Sequence, residues 1–229
     1  MAATPSKSSN LRMLIALVVL GFLGGAALWV NLNQPDPYAR DFEPGSGAES
    51  QIEFADDVHS NSRTDSSITD LEFTDTQGKA VKLKDFVGKK NLVLAVMRGE
   101  SYYGTACPYC STQSSRLIAN YQEFQNRDSE VVILFPVEKK GDLTTLKDFE
   151  KSVAKQLKLE KFTTPFPLLL DVELKAINTL GIRGHLAKPS TYILDKKGQV
   201  RFAYVGKTTS DRPSIKAMLK ELDGINKAS

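Results

Sequence analysis

Along the chain the apolar positions fall into three regimes. From Leu11 to Val30, "LRMLIALVVLGFLGGAALWV" is an apolar run of about 20 residues with one charge, the length that crosses a bilayer. From Asn31 to Ser67 no apolar period is sustained, and Pro, Gly, Ser and acids dominate, as in a disordered tether. A short amphipathic piece, Ile52 to Val58, offers a docking segment within that tether, although a solvated linker is the expectation for the whole. From Ile68 onward, short apolar and β-branched runs alternate with turn residues, which predicts one domain large enough for its own core.

Within that domain the periods change repeatedly. "LEFTDTQGKAVKL" predicts a hairpin turning at Gln77 and Gly78. "NLVLAVM", Asn91 to Met97, and "EVVILFPV" are continuous apolar runs of strand length, as expected of strands buried on both faces. Between them Leu117, Ile118, Tyr121 and Phe124 recur at helical spacing, placing a helix that starts close to Cys107. A second helix is expected from about Leu143 to Leu157, a strand at "FPLLLD" and a short helix in "VELKAINTLGI". "STYILDKKGQVRFAYVG" reads as a hairpin turning at Lys197 and Gly198. The closing helix is expected to have Asp211 as N-cap, Pro213 in its first turn and Gly224 past its end. This order predicts an α/β fold, a three-layer α/β/α sandwich around a mixed sheet, preceded by an N-terminal transmembrane helix. The domains are then a tail over 1–10, an anchor over 11–30, an acidic linker over 31–67 and a folded domain over 68–229.

Charge orients the anchor. Lys7 and Arg12 precede or open the apolar run, and the flank beyond it begins with Asp36, so a short cytoplasmic tail and an exported, periplasmic-side domain are expected. A cleaved signal peptide is the alternative; the long run, with no clean small-x-small site before "LWVNLNQ", favours the retained anchor. Lys plus Arg total 30 against 27 Asp plus Glu, a net charge of +3 that suggests no nucleic-acid partner.

The two cysteines, Cys107 and Cys110, stand in "GTACPYCSTQ" at the predicted strand-to-helix turn. The first sulfur would lie by the free amides and positive end of the helix, which favours thiolate, so Cys107 is the expected nucleophile and Cys110 the resolving thiol. A disulfide closing so short a loop would remove on the order of 2 kcal/mol or less of unfolded-state entropy, a poor structural staple. A zinc site wants about four ligands, and beyond the cysteines the chain offers only His59 and His185. Spacing alone would also suit half of a zinc site; the strand-turn-helix setting favours the redox pair, which needs no cofactor. Glu100, in the preceding loop, is a candidate proton acceptor.

On these segments the chain resembles the thioredoxin-like superfamily, and within it the redoxin branch that holds peroxiredoxins (AhpC/TSA-like proteins) and membrane-tethered thiol-disulfide oxidoreductases. "LEFTDTQGKAVKLKDFVGKKNLVLAVM" is similar to the redoxin opening, "ACPYC" follows the first central strand, and "KPSTYILDKKGQVRFAYVG" resembles the proline loop, strand and hairpin. The resemblance implies a cis proline at Pro189 facing the cysteines, with the backbone beside it pairing the substrate chain and Lys188 and Ser190 flanking the groove. It implies protein thiols and disulfides as substrates and an electron-donor partner. A thiol-dependent peroxidase is the alternative within the branch, yet its P-x-x-x-T-x-x-C pattern would place proline at Glu100 and threonine at Gly104. Its supporting arginine falls at Pro189, leaving Arg98, Arg116 and Arg183 as candidates to replace it. A third reading comes from copper-delivery proteins of the same fold, in which Cys107, Cys110 and His185 would bind the metal.

Overall fold

A computed structural model describes residues 52–63, 66–101 and 104–228. The expected anchor at Leu11–Val30 and most of the expected tether lie outside the described residues. Among the described residues no helix is long and apolar enough to cross a membrane.

Seven strands form one mixed sheet: β1 (Glu72–Asp75), β2 (Ala80–Lys82), β3 (Asn91–Val96), β4 (Ser129–Val137), β5 (Leu168–Val172), β6 (Ser190–Leu194) and β7 (Val200–Val205), in the order β2-β1-β5-β4-β3-β6-β7. β3, β4 and β5 are parallel, and the two hairpins add antiparallel strands at either side. The period of two along β3 shows why "NLVLAVM" has no polar face. Val93, Ala95 and Met97 point into one core, while Leu92, Leu94 and Val96 point into another.

The first core packs beneath α1 (Pro108–Ala119), α3 (Thr144–Gln156) and α5 (Ile215–Lys227), through Leu117, Ile118, Phe149, Val153, Met218 and Leu222. The second is covered by the short α4 (Lys175–Thr179) and two 3-10 turns, Ser66–Asp70 and Leu83–Asp85, through Ala176, Ile177, Ile68 and Leu83. The result is the α/β/α sandwich with a mixed sheet that the pattern implied. The helix predicted from Cys107 onward is broken at Asn120, whose side-chain amide donates to the Arg116 carbonyl (2.8 Å), and the chain resumes as α2 (Tyr121–Gln125).

The last helix departs from expectation. Its N-cap is Ser214, whose hydroxyl accepts from the Ala217 amide (3.1 Å), and Gly224 lies inside the helix. Asp211 accepts instead from the Tyr204 hydroxyl (2.5 Å) and the Lys207 amide (2.8 Å), closing the loop between β7 and α5 on itself. Ser214→Ala is expected to lower stability by about 1 kcal/mol in denaturant unfolding, the usual worth of such a cap; an unchanged midpoint would assign the helix start elsewhere.

The end of the expected tether is ordered. Ala55 donates its amide to the Arg212 carbonyl (2.9 Å) and accepts from the Ser214 amide (2.9 Å), an isolated parallel bridge to Pro213. Asp56 accepts from the Ser214 hydroxyl (2.6 Å) and from Lys216 (2.9 Å), and Val58 is buried in the first core. Further along, Asn61 exchanges two hydrogen bonds with the Val205 backbone, lengthening the edge of β7. The amphipathic piece thus forms a strap across the loop ahead of α5, because its alternate apolar positions and free backbone groups find partners there.

Candidate active site

Cys107 is the N-cap of α1 and Pro108 its first residue, a position where a missing amide hydrogen costs nothing. Cys110, one turn on, lies over the end of β3, and the Arg98 amide donates to its sulfur (3.2 Å). Both cysteines are free thiols with no exposed surface. Small hydroxyls let this first turn pack tightly. Ser111 bonds the Cys107 carbonyl (3.5 Å), Ser115 bonds the Ser111 carbonyl (2.8 Å), and Ser114 reaches the Met97 sulfur (3.6 Å).

Arg212, from the loop ahead of α5, completes the cluster. Its guanidinium is 1 % exposed and donates from one Nη to Cys110 Sγ (3.3 Å), with Cys107 Sγ at 4.0 Å. The other Nη donates to Gln113 Oε1 (2.5 Å), and Nε donates to the Thr209 carbonyl (3.0 Å).

The two thiols therefore share a single negative charge. Burial alone would raise the Cys110 thiol. The hydrogen bond from Cys107, the charge of Arg212, the backbone at Gly99 and a hydrogen bond from Arg212 outweigh it and bring it down to about 5. Cys107 moves the opposite way, raised first by its hydrogen bond to Cys110 and then by burial and by the neighbouring charge. The helix-end argument placed the thiolate on Cys107; the structure stabilises it on Cys110, because Arg212 and the Arg98 amide both reach that sulfur more closely.

The remaining expected site residues fall elsewhere. Pro189 is buried, but no peptide bond among the described residues is cis, so the expected cis proline is corrected to trans. Its carbonyl accepts from the Gly206 amide (2.8 Å), one rung beyond the Ser190–Val205 pair of the β6–β7 ladder. That acceptor is used inside the fold. Ser190 is buried and its hydroxyl donates to the Lys188 carbonyl (3.0 Å), while Lys188 is exposed.

Glu100 meets His185 (3.3 Å) rather than a sulfur. It also walls a recess with Pro136, Glu138, Asp142 and Leu186, to which Lys188, Pro189 and Ser190 do not contribute. Among the described residues no group of three or more potential ligands could hold a metal ion, so Cys107, Cys110 and His185 do not form the copper set of the third reading. The three arginines singled out from the sequence lie in different places. Arg98 contributes its amide, Arg116 bonds the Ile52 carbonyl (2.5 Å) and covers the Phe54 ring, and Arg183 pairs with Glu138 (3.0 Å). Thr105, next to Gly104, directs its hydroxyl to Ser101 (2.8 Å).

The chain is similar to known proteins in sequence and in fold. The chain is 25% identical over 149 residues to the thiol-disulfide oxidoreductase ResA of Bacillus thuringiensis, covering 65% of this chain and 72% of the relative. It is 27% identical over 143 residues to the chloroplastic peroxiredoxin Q of Oryza sativa subsp. japonica, covering 61% and 57%. In fold it is similar to peroxiredoxin 6 of Arenicola marina, with a TM-score of 0.55 and 16% identity over 71% of this chain and 73% of that one. It is likewise similar to the bacterioferritin comigratory protein of Xanthomonas campestris, with a TM-score of 0.51 and 17% identity over 75% and 98%. The AhpC/TSA family profile matches residues 64–203, which spans the first hairpin, the cysteine pair and β6–β7, and the chain belongs to that family of thioredoxin-like oxidoreductases.

Proposed function

We propose that the protein is a thiol-disulfide oxidoreductase that exchanges electrons with protein partners through Cys107 and Cys110. The observation that carries this reading is the unlinked pair at the start of α1, one charge shared between two sulfurs and held by Arg212.

In the reducing direction Cys107, at the helix end, gives its proton to Cys110 and attacks a partner disulfide. The partner's S–S bond breaks, its leaving sulfur takes that proton from Cys110, and a mixed disulfide to Cys107 forms. Cys110, again a thiolate beside Arg212, then attacks Cys107 Sγ, releasing the partner's second sulfur, which takes a proton from solvent, and leaving the Cys107–Cys110 disulfide. The oxidising direction runs the same steps backwards. An electron-exchange partner resets the pair.

The reading includes a location. The apolar run Leu11–Val30, with Lys7 and Arg12 on its near side, supports a single-pass anchor that leaves the oxidoreductase domain on the periplasmic side of a bacterial membrane. Protease added to intact spheroplasts should remove the domain, whereas a protected domain would place it in the cytoplasm.

The exchange mechanism predicts that Cys110→Ser traps a stable mixed disulfide through Cys107 and that turnover with a disulfide protein falls by about 1,000-fold or more, as when any member of a concerted catalytic pair is removed. Cys107→Ser should give no adduct. Undiminished turnover in Cys110→Ser would end the two-cysteine reading. Peroxide consumption that survives Cys110→Ser and disappears in Cys107→Ser would favour the peroxidase instead.

A further inference from the structure

The loop between β7 and α5 delivers a cation to a place where cations are rarely tolerated. Arg212 is as buried as the aromatic residues of the core, and a guanidinium removed from water is strongly disfavoured unless an anion or a full set of acceptors surrounds it. Its partners besides the sulfurs are the Gln113 amide oxygen and the Thr209 carbonyl, both neutral.

The neighbouring carboxylates are engaged elsewhere. Asp211 is held by Tyr204 and Lys207, and Asp56 by Ser214 and Lys216. Gln113 turns its oxygen to Arg212 and leaves its own Nε2 buried without a partner, an orientation set by the cation rather than by its other needs. Arg212 is also fixed from behind, since its carbonyl accepts from Ala55 of the strap. Among the described residues, the full negative charge that its side-chain contacts meet is the thiolate of the pair, and that charge exists only while the cysteines are reduced.

We propose that Arg212 makes Cys107–Cys110 an oxidising couple: by holding the reduced pair as a buried ion pair and losing its anion when the disulfide forms, it drives the protein to take electrons from protein dithiols. This rests on the exchange reading above and adds its direction. The reaction balances as follows. A partner dithiol gives up two electrons and two protons and forms its S–S bond. The Cys107–Cys110 bond breaks and takes both electrons, one proton stays on Cys107, the second sulfur remains a thiolate against Arg212, and the other proton leaves to solvent. A more oxidising protein disulfide resets the pair. The energetic logic is that of any couple whose reduced form is selectively stabilised.

The full-length chain, equilibrated in glutathione redox buffers and quenched by alkylation, measures this directly. Arg212→Met is expected to shift the equilibrium toward the disulfide by about 100-fold, a potential about 60 mV more negative, and Arg212→Lys should recover part of that shift. A merely structural arginine would weaken both redox forms alike and leave the potential in place. In the unsubstituted protein, the reduced form should also resist denaturant better than the disulfide form, which keeps the idea testable even if Arg212→Met does not fold. An Arg212→Met equilibrium within about twofold of the unsubstituted protein, or a disulfide form that is the more stable, overturns the role of Arg212. Failure of Cys107 and Cys110 to form any disulfide in these buffers instead removes the exchange reading beneath it.

Discussion

Reduced protein brought from acid to neutral pH is expected to take on one thiolate with a midpoint near 5 and to become more stable over the same range. In the unfolded chain Cys110 has its ordinary value of 9.0, and in the fold it titrates at about 5, so between those limits the unfolded state binds the extra proton. Stability therefore rises with pH through that window, and it is lost as pH falls through the lower value. The slope is about 1.4 kcal/mol per pH unit, or about 3 kcal/mol by neutrality, as an order of magnitude. Cys107, shifted upward, keeps its proton throughout and adds no slope of its own in that range. Ultraviolet thiolate absorbance and denaturant midpoints measure the two effects, and the disulfide form, having no thiol, is the internal control. Two thiolates appearing together, or one appearing only at the ordinary value, would contradict the shared charge.

Gly206→Ala should be the most damaging conservative change outside the cysteines. A Cβ at Gly206 would lie 2.2 Å from the Asp211 carbonyl oxygen and 2.9 Å from Pro189 Cγ. Glycine is required there by close approach and not by backbone conformation, since Gly206 is absent from the positive-φ glycines. The obstacle is backbone, which cannot rotate away, so a loss of about 3 kcal/mol is expected, at the upper end of overpacking costs. The strain falls on the loop that carries Arg212, so the thiolate midpoint should rise in the same variant. Normal stability with an unmoved midpoint would show that the loop adapts without touching the site.

How far the sequence foretold this molecule depended on whether the information was local. The strands Asn91–Val96 and Ser129–Val137, the hairpin at Lys197 and Gly198 and the start of α1 at Cys107 are written in periodicity and turn chemistry, and they appear where expected. The cysteine pair was legible for the same reason: two reactive residues one helical turn apart after a buried strand.

Arg212 was not. In "SDRPS" it is flanked by the polar and proline residues of an ordinary surface turn, and only the packing of this loop against the start of α1 brings it to Cys110, 102 positions earlier in the chain. The thiolate was consequently assigned to Cys107 on the helix end alone. Pro189 differs in another way: its position before β6 was read correctly, but its peptide bond is not cis, and no local pattern ahead of β6 writes that isomer into the sequence. Asp211 had the composition of an N-cap and was drawn off by Tyr204 and Lys207, leaving the cap to Ser214 three residues later.

The strap gives the site a mechanical aspect. Ala55 is bonded on one side to the carbonyl of Arg212 and on the other to the amide of Ser214, so the chain ahead of residue 52 is joined to the domain at the very loop that governs the thiolate. A pull on that leading chain is borne first by the Arg116 contact at Ile52, then by these two hydrogen bonds, before it reaches the buried Val58. The strap therefore holds, from a separate stretch of chain, the loop whose arginine meets the sulfurs.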